Sequence, residues 1–265
     1  MRKLLIGIML LWLAVLIVFP LAGIVSNALR EGWAPFAAAL DQPETVHAFK
    51  LTLIITVIAV AVNVVFGTII GLVLARQSFP GKTLMEELVS MPLAVSPVVA
   101  GFMFILLFGK NGWLGEWFAA GGIPVIYALP GMILATVFVT LPFVAKEVVP
   151  VLLEIGTEQE AAARTLGASP WQTFRRVTLP SIRWGLVYGI TLTMARALGE
   201  FGAVLVVSGN IIGRTQTATL HIHEAYTNLE FQGAFSASLV LAAVSFAVLL
   251  IMEAVKRRME DGKET

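Results

Sequence analysis

Arg196 and Glu200 stand four residues apart inside an otherwise apolar run from Trp184 to Val207. On a helix that spacing places both side chains on one face, close enough to neutralise each other. A charge at bilayer depth costs roughly 2.5–3.5 kcal/mol on insertion scales, so such residues face a polar cavity or another subunit. Two readings stay open: the pair lines or gates a polar pathway, or it is a structural ion pair that orients the helix. Ser208 and Asn210 add polar groups just past the run. The other chemistry-bearing positions carry less. Asn63, in a second apolar run, is expected to hydrogen-bond a neighbouring helix rather than bind solute. His221-x-His223-Glu224 has metal-ligand types but no further cluster beside it, and no metal site is expected. Gly81-Lys82-Thr83 mimics the end of a phosphate-binding loop, yet the first glycine of that motif would fall at Arg76 and no strand–loop–helix context surrounds it. No Ser/His/Asp arrangement in the apolar runs suggests a protease. With no cysteine there are no disulfides, thiolate metal sites or cysteine nucleophiles.

The elements that must position these residues are membrane spans. Of 265 residues 58% are hydrophobic and 13% charged, with a mean hydropathy of +0.87; ordinary soluble domains carry about a quarter charged residues. The net charge of +1 offers no field for a nucleic acid. Six stretches approach the roughly 20 residues a bilayer core requires: 4–26, 51–75, 88–108, 125–145, 184–207 and 235–255. The first follows Arg2 and Lys3, but its apolar run exceeds the 7–15 residues of a cleaved leader and reads as a retained helix. With the N-terminus inside, the cytoplasmic pieces 1–3, 76–87, 146–183 and 256–265 hold thirteen Lys/Arg, against four in the outer pieces. That bias places both termini in the cytoplasm. Trp33, Trp113 and Trp117 suit the outer interface, the last two on one short interfacial helix or packed against the bundle. Pro130, Pro142 and Pro150 predict a kink in the fourth span and its exit. Gly67/Gly71 and Gly185/Gly189 are pairs that let helices approach closely.

The longest cytoplasmic piece, 146–183, is large enough to hold a docking element. Residues 158–166 are strong helix formers apart from Thr165, with Glu158 and Glu160 at the favourable N-terminus. Gly167 is a natural stop, and Ser169-Pro170 starts a second short helix. The spacing predicts a helix-turn-helix across the cytoplasmic face; an ordinary amphipathic connector has the same periodicity.

This segment resembles the signature loop of ABC-importer permeases: Glu-Ala-Ala, three residues, Gly, nine residues, an aliphatic, one residue, Leu-Pro. Here the triplet is Ala161-Ala162-Ala163, followed by Gly167, residues 168–176, Val177, Thr178 and Leu179-Pro180. Every spacing fits, but Ala161 holds the usual Glu position and Glu160 sits one residue early, which leaves the role of that glutamate open. In that family the segment docks into a cleft on a cytoplasmic ATP-hydrolysing subunit. The resemblance implies the same for 158–180, with Glu160, Ala161, Ala162, Ala163, Gly167, Ala168, Ser169 and Pro170 as coupling residues.

The fifth run, with Ser208-Gly209-Asn210 and Leu220-His221 after it, is similar to the sulfate/thiosulfate and molybdate permeases, and the similarity covers essentially the whole chain. It implies an all-α polytopic fold of the type I importer permease kind. A single transmembrane domain would span 1–265, with core helices at about 51–255, in the bacterial cytoplasmic (inner) membrane. It implies alternating access for sulfate or thiosulfate, with molybdate or tungstate as the alternative, and Arg196, Glu200, Ser208 and Asn210 as pathway or gate. The partners implied are a second permease subunit (a homologous T-type chain or another copy), two cytoplasmic ATPase subunits, an extracytoplasmic sulfate-binding protein and membrane lipid, with no nucleic acid. This chain would be no enzyme and hold no cofactor; ATP and Mg would sit on the ATPase. A gradient-driven transporter or channel is the reading from a different class. It predicts inverted repeats and no docking loop.

Overall fold

The computed structural model describes residues 2–261, and every element among them is helical. Met1 and the last four residues of the C-terminal piece lie outside the described residues. Four helices are each long and apolar enough to cross a bilayer: Arg2–Ala28, Pro43–Arg76, Leu129–Ile155 and the Phe231–Val255 part of Phe231–Asp261. Two bent pairs pass the same test only when each is taken as one span, Lys82–Ala94 with Pro97–Phe108 and Arg183–Leu198 with Gly202–Ser208.

Several boundaries differ from the sequence expectation. The stretch 88–108 is not one straight crossing, because its two halves meet at 112°. Ser96, held at ψ 133, precedes Pro97, and a residue before proline is driven out of the helical region. The stretch 184–207 is likewise broken, by 55°, where Gly199 and Gly202 flank Glu200 and Phe201. The second span begins at Pro43, eight residues earlier than expected. The fourth runs on to Ile155 through Pro142 and Pro150 as one helix. The first ten residues of the 146–183 piece are therefore span, and the prolines do not interrupt it. Trp117 lies on the short helix Gly115–Ala120, whereas Trp113 precedes it; both are exposed.

The fourth span is the axis of the bundle, and the glycine pairs explain how. A Cβ on Gly67 would lie 2.7 Å from the Val144 Cβ, and one on Gly71 would lie 2.9 Å from the Val148 Cγ1. From the fifth span, a Cβ on Gly189 would lie 2.8 Å from the Val144 Cα, and one on Gly185 would lie 2.6 Å from the Glu147 carbonyl oxygen. Both pairs thus bring backbones onto Leu129–Ile155, which is what small residues do between membrane helices. Val144, Val148, Leu152 and Ile182 form the buried cluster at this level. Asn63, fully buried, donates to the Thr140 hydroxyl (2.7 Å) and the Val137 carbonyl (3.2 Å), a further bond between the second and fourth spans.

The first span stands apart: none of its apolar window is buried. It meets the last span near Ala28, whose carbonyl accepts from Gln232 at 2.8 Å.

Candidate functional site

Two places gather the polar residues singled out in the sequence. The first is the 156–182 loop. Glu158–Thr165 is a helix, Leu166 and Gly167 turn the chain, and Pro170–Thr173 starts the next. Gly167 adopts φ +85, the left-handed region that favours glycine. The Ser169 hydroxyl accepts from the Gln172 backbone N–H (3.3 Å), and the Gln172 side chain accepts from the Ser169 N–H (2.8 Å). That reciprocal box, with Pro170 at the first helical position, fixes the second helix start. A π-helical turn, Phe174–Thr178, leads into Leu179–Ser181 and the fifth span. The helix-turn-helix expected for 158–180 is therefore present.

The loop has two unlike faces. Outward it carries Leu166, 88% exposed, and Trp171, 66% exposed, with Ala168, Ser169 and Pro170 between them also turned to solvent or nearly so. Ala161 and Ala162 are exposed and Ala163 half-buried. Inward it carries Glu160. Its Oε1 pairs with the Arg76 Nη2 at 3.2 Å and accepts from the Thr178 hydroxyl at 3.0 Å. The Arg76 guanidinium also donates to the carbonyls of Leu152 (2.8 Å) and Gly156 (2.6 Å). Those carbonyls belong to the end of the fourth span, where helix C-termini leave acceptors without partners and favour a cation. Arg76 escaped the sequence reading; its signal was its place as the first charge after the apolar run of the second span.

The second place is the break in the fifth span. Arg196 is on the helix and Glu200 beyond its end, so the two do not share one helix face as expected; yet the Arg196 Nη1 lies 2.6 Å from the Glu200 Oε2. The other carboxylate oxygen accepts from the Ala203 N–H at 2.9 Å, so Glu200 caps Gly202–Ser208. An anion is favoured at a helix N-terminus, and here the chain supplies its own, leaving this terminus taken. The Glu200 side chain is 1% exposed, the Arg196 side chain 32%. The cation is the more exposed member of the pair.

Ser208 and Asn210 sit at the far end of the broken span and belong to a network the sequence did not disclose. Ser208 accepts from the Asn210 N–H (3.0 Å) and, through its carbonyl, from the Thr215 hydroxyl (2.7 Å). The Glu224 Oε2 gathers the Asn210 amide (2.6 Å) and the Gln216 amide (2.5 Å). Gln216 in turn meets the His221 Nδ1 (3.3 Å), and the His221 Nε2 lies 3.0 Å from the Thr45 hydroxyl. Burial pushes the His221 pKa below its ordinary value, with Glu44, Glu224 and Glu230 opposing. The 209–217 segment is thereby tied to the Ala218–Thr227 helix and the start of the second span. Among the described residues no group of three His, Asp or Glu side chains could hold a metal ion.

A family model described as "Binding-protein-dependent transport system inner membrane component" matches residues 67–261, which includes both places. The chain belongs to this family. A multi-pass membrane protein, it is 48% identical over 262 residues to the sulfate transport system permease protein CysW of Synechocystis sp., covering 99% of this chain and 95% of that one. It is 37% identical over 252 residues to the sulfate transport system permease protein CysT of Escherichia coli (strain K12), covering 95% and 91%. Its fold matches a chain in the crystal structure of a bacterial alginate ABC transporter in complex with alginate pentasaccharide-bound periplasmic protein, with a TM-score of 0.80 at 16% identity, covering 97% and 96%. The family's permease fold, expected from the loop signature, is thus the fold of this chain.

Proposed function

We propose that this permease is one half of the membrane channel of an ATP-driven importer that moves sulfate or thiosulfate inward by alternating access across the bacterial cytoplasmic membrane. The observation that carries the importer part is the two-faced loop. A short helix pair held to the bundle on one side presents Leu166 and Trp171, both well exposed, on the other. A soluble partner with an apolar cleft would bury such anchors. In this reading the partner is a cytoplasmic ATPase, two copies per importer, that carries the ATP and Mg; this chain hydrolyses nothing and holds no cofactor. The solute rests on the relatives: proteins named as sulfate permeases of both W and T type are similar along nearly the whole chain. The greater likeness to the W type makes a T-type chain the natural second subunit, with a sulfate-binding protein on the outer side.

Arg196 is the group on the pathway that a passing oxyanion meets, held by Glu200 so that its charge is partly offset and the anion is not trapped. Ser208 and Asn210 hold the 209–217 segment that gates the outer end. Two measurements test the whole. Labelled sulfate, but not molybdate, should enter cells that express the chain with its partners; molybdate uptake alone would transfer the assignment to that oxyanion. Gly167→Pro cannot adopt φ +85 and loses the N–H that meets the Arg164 carbonyl at 2.9 Å. That variant should insert normally yet lose solute-stimulated ATP hydrolysis. Normal coupling in it would sink the docking role of the loop.

A further inference from the structure

We propose that Arg76, Glu160 and Thr178 form a clasp through which displacement of the loop reaches the second, fourth and fifth spans, so that Glu160 is a positioning residue of coupled transport and not a contact of the ATPase. The inference rests on the docking role of the loop argued above. No residue of Glu158–Thr165 is buried and Ala163 is its one half-buried apolar side chain, so apolar contact anchors this helix only weakly. Its grip is polar and passes through Glu160. The carboxylate has 14% of its side chain exposed and the Arg76 side chain 13%, so the pair is shielded from water, where a charge-assisted bond is at its strongest.

The geometry also joins the right parts. Arg76 ends the second span, Leu152 and Gly156 end the fourth, Glu160 belongs to the loop and Thr178 to the π-helical turn that enters the fifth. One guanidinium and one carboxylate therefore connect four segments. Just above, the same three spans are closely packed, Gly71 against the Val148 side chain and Gly185 against the Glu147 carbonyl. A push on Leu166 and Trp171 thus has a stiff route into the bundle, and without the clasp it would swing a loosely held helix. The shifted glutamate gains a reason: Glu160 points at Arg76, while Ala161, in the position where the signature has its Glu, is exposed.

The test uses the complete importer in proteoliposomes, reading sulfate moved per ATP hydrolysed and, separately, ATPase subunits retained on purification. Glu160→Ala should retain the ATPase subunits and lower sulfate per ATP about tenfold, within the range of ordinary coupling energies. Glu160→Gln keeps an acceptor for both donors and should fall between it and the native chain. Thr178→Val removes one contact and should lower the ratio about twofold; it decides the matter if the Glu160 variants do not fold. An unchanged ratio in Glu160→Ala, or in Thr178→Val, overturns the clasp. Loss of the ATPase subunits from Glu160→Ala also overturns it, since Glu160 would then be a docking contact. Leu166→Asp serves as the separate check. It should release the ATPase subunits, and if they stay bound the docking role itself is wrong.

Discussion

Arg76 and Glu160 lie 84 residues apart in sequence and meet at the loop end of the bundle; Arg196 and Glu200 lie four apart and meet at the break in the fifth span. Both are Arg–Glu pairs, and the sequence displays only the second. The near pair is a local device: Glu200 caps the half-helix that follows it and leaves Arg196 a third exposed. The far pair is an assembly device, in which both side chains are mostly shielded and the guanidinium also satisfies two carbonyls at the end of another span. The lesson is that the same chemistry does opposite work according to where its partners come from. A pair built within one segment can tolerate an open face, as Arg196 does. A pair built from several segments makes them move together.

That contrast can be broken at its strong side first. Arg76→Ala would leave Glu160 without its cation and the Leu152 and Gly156 carbonyls without a donor. Removing one partner of a shielded pair costs about 3–5 kcal/mol, so thermal unfolding in detergent should show a large drop. Unfolding at the native temperature would show that the junction holds nothing. Arg196→Ala should cost less, because Arg76 also serves two carbonyls while Arg196 serves one carboxylate, and the buried Glu200 it leaves behind keeps its bond to Ala203. Its main effect should be on uptake, measured with labelled sulfate in complexes that still assemble. Wild-type transport, or failure of assembly, would make the near pair structural as well. The smallest effect belongs to the outer network. His221 has a depressed pKa, so the folded chain binds fewer protons there than the unfolded one as pH falls below about 6.5. Stability should therefore decline through that range, and His221→Gln should flatten that part of a melting-temperature profile. An identical slope in the variant would place the pH dependence elsewhere.

Much of this was legible in one dimension because local rules govern it. Gly167, Ser169 and Pro170 stop and restart helices by their own backbone preferences, so the helix-turn-helix could be written down from spacing. Gly67, Gly71, Gly185 and Gly189 announced close packing, although only the folded chain showed that all four converge on one span. The broken third and fifth spans were missed for a physical reason. An apolar run satisfies the test for a span whether or not its backbone is continuous, and Ser96-Pro97 and Gly199 to Gly202 are short interruptions within such runs. The helix continues past Pro142 and Pro150, so a proline within an apolar run does not by itself end a span.

Composition alone, with charges too few for a soluble surface and sorted thirteen against four, settled that the chain lives in a membrane and implied which way it faces. Periodicity and spacing settled where its loop turns. These follow from transfer energies and backbone geometry, which act residue by residue. The tertiary structure alone decided that Glu160 turns inward to Arg76, that Glu200 spends its charge on a helix end, and that Asn210 and Gln216 converge on Glu224 while His221 joins Gln216 to Thr45. Glu160 meets Arg76 across 84 residues of sequence, and Glu200 reaches the Ala203 N–H only because the helix breaks beside it; no spacing rule encodes either outcome.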